Sequence, residues 1–253
     1  METQFSRTER ILGRGFTQKL SNCRVAIFGI GGVGGYVMEA LVRSGIGCID
    51  IVDNDTVALS NLNRQIIATH SSVGKNKVDA AEKRAKDINP EIIVNKHNVF
   101  YLPDSECVFD FQSFDYIVDA IDTVSAKLDL IEKAQEYGVP IISAMGCGNR
   151  FDPTKLVVTD IYNTKMDPLA KVMRKELKKR GVKKLKVVYS TEEPLKTVDF
   201  DENSCEKASA SQEMQSAKTK ARSVPGSTAF VPSAAGLIIA SQVAFDLTEE
   251  LRK

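Results

Sequence analysis

Near the start of the chain, Gly29-Ile30-Gly31-Gly32-Val33-Gly34 carries glycine at the spacing GxGxxG. Glycine tolerates positive φ and lets a phosphate approach backbone N–H groups. A helix beginning behind such a turn adds its dipole. Asp53 follows about 20 residues on, at the end of the next apolar run, where a carboxylate can accept hydrogen bonds from a ribose. The pattern identifies a nucleotide site, and alone it fits NAD or FAD as well as other nucleotides.

The residues downstream break that tie. Asp53-Asn54-Asp55 leads into Ser60-Asn61-Leu62-Asn63-Arg64-Gln65, then Val73-Gly74-Lys75-Asn76-Lys77, and later Asp119-Ala120-Ile121-Asp122. Hydride transfer has no use for an Asn/Arg/Lys set followed by an acid suited to magnesium. A triphosphate does: fixed cations must neutralise its oxygens as pyrophosphate leaves, and Mg2+ takes hard carboxylate oxygen. The expected ligands are therefore ATP and Mg2+.

These residues need a frame that brings them together. The first half alternates short β-branched runs with longer helical patterns, the mark of βαβ units and a parallel sheet. Strands are expected over Arg24 to Phe28, Cys48 to Val52, Glu91 to Lys96, Phe114 to Val118 and Pro140 to Ala144. Helices are expected over Gly32 to Ser44, Val73 to Ile88 (with Ser71 or Ser72 as N-cap) and Val124 to Tyr137. Right-handed crossovers then give an α/β fold, a Rossmann-like doubly wound, mainly parallel sheet. Leu156 to Ile161 and Lys186 to Tyr189 read as additional antiparallel strands in the C-terminal part, around a helix from Asp167 to Arg180. The expected organisation is one domain over 1–253, with a nucleotide-binding core (1–150), a substrate-facing part with dimer-interface elements (151–253) and a long polar loop (197–225).

With these motifs the chain resembles the ThiF/MoeB/HesA family of ATP-dependent adenylating enzymes, relatives of ubiquitin-activating enzyme. The likeness covers Arg10 to about Met145. It implies that Asp53 binds the ribose with Asp55 nearby, that Asn61, Arg64 and Lys77 hold the phosphates with Gln65 in support, and that Asp122 ligands magnesium. Gly29, Gly31, Gly32 and Gly34 form the phosphate turn. Arg10 stands where family members place an arginine that reaches the partner subunit's ATP, which implies a homodimer.

The second half resembles the tRNA threonylcarbamoyladenosine dehydratases of this family, through Asp152-Pro153-Thr154, Val158-Thr159-Asp160, Asp167-Pro168-Leu169-Ala170 and Tyr189-Ser190-Thr191-Glu192. That likeness implies ATP-dependent cyclisation of threonylcarbamoyladenosine in tRNA through an acyl-adenylate, with Arg10, Arg64, Lys77 and Asp122 as the catalytic set. The alternative is adenylation of the C-terminus of a ubiquitin-like or sulfur-carrier protein. Relatives with that activity commonly carry two CxxC zinc pairs, which this sequence lacks. Independently, nine basic residues lie between Lys171 and Lys186 beside one acid, Glu176, an electrostatic footprint suited to RNA.

The whole chain sets the outer bounds. It has 253 residues, enough for one large core, and a net charge of +1, so any polyanion site must come from local clusters. Five widely spaced cysteines, Cys23, Cys48, Cys107, Cys147 and Cys205, give no disulfide framework and suit the cytoplasm. Cys205 is the nucleophile candidate by placement and reads as an incidental thiol. Met1 to Leu20 has no apolar leader. Ser223 to Phe245 is uncharged and long enough to span a membrane, but its Pro, Gly and Ser content points to a buried or subunit-interface helix. No residue identifies a sulfur or electron-transfer partner.

Overall fold

Val25, Ala26, Ile27 and Phe28 are fully buried, and a strand buried on both faces belongs in the middle of a helix-covered sheet. The computed structural model describes residues 2–103, 109–198 and 225–252 and places this strand, β1 (Arg24–Phe28), in a seven-stranded sheet. The others are β2 (Cys48–Val52), β3 (Ile93–His97), β4 (Tyr116–Asp119), β5 (Ile141–Ala144), β6 (Leu156–Asp160) and β7 (Lys186–Ser190). Their spatial order is β3-β2-β1-β4-β5-β7-β6. Cys107, Cys205 and most of the expected 197–225 loop lie outside the described residues.

The connections diverge at β1 and β4, which lie side by side. From β1 the chain winds through α3 (Gly34–Ser44) to β2, and from β4 it winds the other way through α5 (Val124–Glu136) to β5. Such a reversal opens a crevice beyond the carboxyl ends of the strands.

The antiparallel pairing expected in the C-terminal part is present, and one helix boundary needs correction. β7 pairs parallel with β5, so among the described strands the antiparallel pairing is confined to β6 against β7. The helix expected from Val73 starts four residues later, as α4 (Lys77–Ile88). Gly74 has φ +83°, and the chain there is held by an antiparallel bridge between Thr56 and Asn76 and by hydrogen bonds with Val57. Ser72 closes the preceding turn instead, accepting from the Thr69 N–H at 2.8 Å and donating to the Ile67 carbonyl at 2.9 Å. The delay matters, because it makes Lys77 the first residue of the helix.

The long apolar stretch forms α7 (Phe230–Leu247), the one helix among the described residues long and apolar enough to cross a membrane. It packs in the core beside α3 and contributes Val231, Ala235, Ile239 and Val243. A Cβ at Gly236 would lie 2.4 Å from the Val33 carbonyl oxygen and 2.7 Å from Tyr36 Cβ. Only glycine permits that approach. α1 (Ser6–Leu12) and α2 (Arg14–Leu20) precede β1, α2 adding Phe16 and Leu20 to the same core, and α6 (Pro168–Lys179) packs through Ala170, Met173 and Leu177.

One polar cluster is built into the sheet. Asp50, fully buried on β2, accepts from Arg24 Nε at 2.7 Å, Arg24 Nη2 at 2.9 Å and Asn95 Nδ2 at 3.2 Å, and His97 Nε2 lies 2.9 Å away. Burial pushes this carboxyl up, but the hydrogen bonds from Arg24, His97 and Asn95 outweigh it and hold it below its usual 3.8. The folded pKa is therefore depressed, so the stabilisation is complete above the unfolded value and is lost as pH falls through the folded one. Asp50→Asn should destabilise the protein by about 2 kcal/mol at pH 7. Chemical denaturation at a series of pH values should show the gap to wild type constant above about pH 5 and closing below about pH 4. A gap independent of pH down to acid unfolding excludes this role for Asp50.

Candidate active site

The glycine turn follows β1 at the crevice. Gly29 has φ +90°, and a Cβ there would sit 2.6 Å from the Ala120 carbonyl oxygen, at the end of β4. A Cβ at Gly34 would fall 1.8 Å from the Gly29 carbonyl oxygen. The turn is therefore folded tightly on itself and against the neighbouring strand. α3 begins at Gly34 rather than Gly32, so Gly31 and Gly32 remain in the turn ahead of the helix. Asp53 fastens the other side. Its carboxylate accepts from the Ile30 N–H at 2.8 Å and the Asp55 N–H at 2.9 Å. Burial raises its pKa, and Lys77 and these backbone donors oppose that rise.

Beyond the turn lies a cavity of about 360 Å³. Gly29, Gly31, Gly32, Asp53, Asp55, Asn61, Arg64, Gln65, Lys77 and Asp122 all line it. Gly34 stands behind it at the helix start. Arg10 is not brought in: it is exposed on α1, a helix without a buried residue. Within one chain, ten of the twelve expected residues thus meet at one crevice.

The charges are unevenly partnered. Lys77, almost wholly buried, places its ammonium 2.6 Å from Asp55 Oδ2 and 3.6 Å from Asp53 Oδ1. Arg64 Nη1 donates to the Ser60 carbonyl at 3.1 Å and Asn63 Oδ1 at 2.9 Å, and no carboxylate pairs with it among the described residues. Burial lowers its pKa from the ordinary value. Asn61 uses its Oδ1 to accept from the Ala58 N–H at 3.0 Å, which folds the loop carrying Arg64. Gln65 Oε1 is buried with no hydrogen-bond partner among the described residues. Asp122 is exposed, its carboxylate accepting a long hydrogen bond of 3.4 Å from Thr123. A guanidinium without a carboxylate and an acceptor without a donor suit an anionic, hydrogen-bonding ligand.

Several lining groups escaped the sequence reading. Val52, Val99, Phe100, Tyr101 and Ile121 form an apolar wall suited to a planar base. The aromatic pair Phe100-Tyr101, shortly after β3, was its visible signal. Cys147, Gly148, Ser227 and Pro232 close the other side. Ser227 is positioned through its carbonyl, which accepts from Asn63 Nδ2 at 2.9 Å, and Gly226 exchanges two hydrogen bonds with Asn149. Asp167, the N-cap of α6, accepts from the Gly146 N–H at 3.0 Å and so ties that basic helix to the cavity rim. Behind the wall, the fully buried Lys127 pairs with Asp119 at 2.9 Å. Nothing in the local sequence marks Lys127 as buried.

The ThiF family matches residues 5–244 of the chain. The tRNA threonylcarbamoyladenosine dehydratase of Bacillus subtilis (strain 168) is 41% identical over 257 residues, covering 98% of this chain and 96% of that protein. Crystal structures of Escherichia coli tRNA N6-threonylcarbamoyladenosine dehydratase, TcdA, in complex with AMP and with ATP, are similar with TM-scores of 0.83 and 0.82. Their identities are 30% and 29%, and each comparison covers 98% of this chain and 95% of the other.

Cys147 has the placement of a nucleophile but not its electrostatics. Burial pushes its thiol up to about 12, with Asp167 adding to the rise, so the reactive thiolate is scarce near neutrality. Alkylation by iodoacetamide at pH 8, mapped residue by residue by mass spectrometry, should modify Cys147 at least tenfold more slowly than glutathione under the same conditions. A rate equal to that of glutathione contradicts this picture.

Proposed function

The chain belongs to the ThiF family, and on that footing we propose that it dehydrates threonylcarbamoyladenosine in tRNA, using ATP to activate the threonine carboxylate. The observation that carries the reading is the convergence of the glycine turn, Arg64, Lys77 and Asp122 on one cavity. The carboxylate attacks the α-phosphorus of ATP, forming an acyl-adenylate and releasing pyrophosphate. A nucleophile within the same side chain then attacks the acyl carbon, closes a ring and expels AMP. One water is lost from the nucleoside overall. No protein nucleophile is needed, because the intramolecular attacker has a high effective concentration, and the protonated state of Cys147 agrees with that.

In this scheme Arg64 and Lys77 hold the phosphates, the glycine turn gives its N–H groups, Asp53 takes the ribose and Gln65 supplies its free acceptor. Asp122 fits Mg2+: it is an exposed carboxylate on the cavity with one long hydrogen bond, and Mg2+ takes one or two protein carboxylates together with phosphate oxygens. When bound, the ion neutralises charge on the phosphates. Arg10 completes the catalytic set from the second subunit of a homodimer, in keeping with its exposure on a helix that buries nothing in its own chain. The enzyme works on tRNA in the cytoplasm.

The RNA is drawn by α6 and the turn after it. Arg174 is spent on Thr164, Lys179 and Arg180 on Glu176, and Lys186 on Asp246. Lys171, Lys175, Lys178, Lys183 and Lys184 are exposed and make no ion pair among the described residues. Lys171, Lys175 and Lys178 share one helical face, and the helix begins at the cavity rim through Asp167.

Protein, ATP and Mg2+ incubated with tRNA bearing threonylcarbamoyladenosine should give a nucleoside lighter by one water, with AMP and pyrophosphate released. Unchanged nucleoside together with pyrophosphate exchange driven by a diglycine-ended carrier protein selects the other adenylating activity. Arg64→Ala and Lys77→Met should each lower kcat about a hundredfold, measured by AMP release, and an effect below threefold removes that residue from the scheme. Replacing Lys171, Lys175 and Lys178 together by Gln should weaken tRNA binding and flatten its dependence on salt, while leaving ATP affinity unchanged. An unaltered salt slope in filter binding places the RNA elsewhere.

A further inference from the structure

Lys127 is the one fully buried lysine among the described residues. Removing an ammonium from water is costly unless it is paired and hydrogen-bonded. Its Nζ lies 2.9 Å from Asp119 Oδ2 and donates to the carbonyl oxygens of Ala144 at 2.8 Å and Ile121 at 3.1 Å. The Asp119 contact is one of charge rather than an aligned hydrogen bond, whereas both carbonyl contacts are hydrogen bonds.

The position of those acceptors is informative. The β4–β5 ladder runs through Ile117, Val118 and Asp119 against Ile141, Ile142 and Ser143 and stops there. Immediately beyond, the two chains fork around the cavity. Ile121 and Asp122 line one wall, and Cys147 and Gly148, shortly after Ala144, line another. Carbonyls past the end of a ladder still require donors. Lys127 serves one on each branch, so its length sets the spacing of the fork. Asp119 works from the same side, accepting from the Ile121 N–H at 3.3 Å. The segment that presents Asp122 is thus held by its N–H and its carbonyl, both through the buried pair.

Stability alone does not demand such an arrangement, since apolar pairs of similar volume often serve a core as well as an ion pair does. We propose that Lys127 is a positioning residue for the adenylation chemistry: bridging the Ile121 and Ala144 carbonyls beside Asp119, it fixes the loop bearing Asp122 relative to the wall at Cys147 and Gly148. This rests on the reading of the cavity as the adenylating site. Lys127 touches no substrate and acts through the two loop backbones.

Lys127→Met alone leaves the Asp119 charge stranded, so the test uses the double variant D119N/K127M, which removes both charges at similar volume. K127R keeps a charge but relocates its donors, and L130A opens a cavity in the same helix on its Phe28-facing side as a control for destabilisation. Steady-state kinetics are measured well below each melting temperature. D119N/K127M is expected to lose at least tenfold in kcat with the KM for tRNA within twofold of wild type, K127R to fall between the two, and L130A to keep its kcat despite a lower Tm. A double variant whose kcat stays within twofold of wild type, or falls no further than that of L130A, overturns the proposal. If the double variant does not fold, K127R decides, and a wild-type kcat overturns it. ATP affinity by calorimetry is read on the same proteins, with a tenfold weakening expected for the double variant. A wild type that binds ATP yet leaves tRNA unchanged contradicts the reading of function, and the positioning role then stands or falls on that affinity, unchanged affinity overturning it.

Discussion

The site depends on the contact between the turn after β1 and the segment leaving β4, where a Cβ on Gly29 would lie 2.6 Å from the Ala120 carbonyl oxygen. Because β1 and β4 are neighbours from which the chain winds in opposite directions, this contact sits where the crevice must open. Closing the turn there sets the N–H groups of the glycines against the segment leading to Asp122. Asp53 then ties the turn to the loop after β2, and Lys77 joins it because α4 begins so late. Residues distant in sequence become one site through a single close approach of two backbones.

The electrostatics are arranged around departure as much as binding. In the chain as it stands, Asp55 and Asp53 hold the Lys77 ammonium. Asp55 is largely in water, its side chain 63% exposed, and an exposed carboxylate in an ion pair contributes little net stability. A phosphate with more charge and several oxygens can displace it at small cost, whereas the buried Asp53 stays fixed by its two backbone donors. Arg64 has no such carboxylate to leave among the described residues. In the proposed scheme the two cations therefore meet an incoming anion differently, one by exchange of partners and the other by direct pairing.

What could be read from residues alone follows the same physics. β1 was legible to the residue because a strand buried on both faces is a nearly unbroken apolar run bounded by sharp punctuation, and β2 keeps that pattern on either side of Asp50. The phosphate turn was legible because glycine spacing is a local property. The start of α4 was not, since Val73 and Lys75 look helical until the bridge between Thr56 and Asn76 claims that segment. The parallel pairing of β7 with β5 was hidden as well: a short strand carries no mark of which second neighbour it will find. Lys127 and Asp50 look like surface charges in any window, and only their partners from other strands explain their burial. Arg10 could be named by likeness alone, because a single chain leaves it exposed on α1.

The brace behind the phosphate turn comes from the far end of the chain. Gly236, in α7, lies against Val33 at the mouth of α3, so about two hundred residues separate the turn from the element that steadies it. During synthesis the glycine turn emerges about two hundred residues before the glycine that supports it, so the turn is made long before its brace can dock. A nascent polypeptide therefore carries the whole nucleotide signature before the element that steadies it has been made.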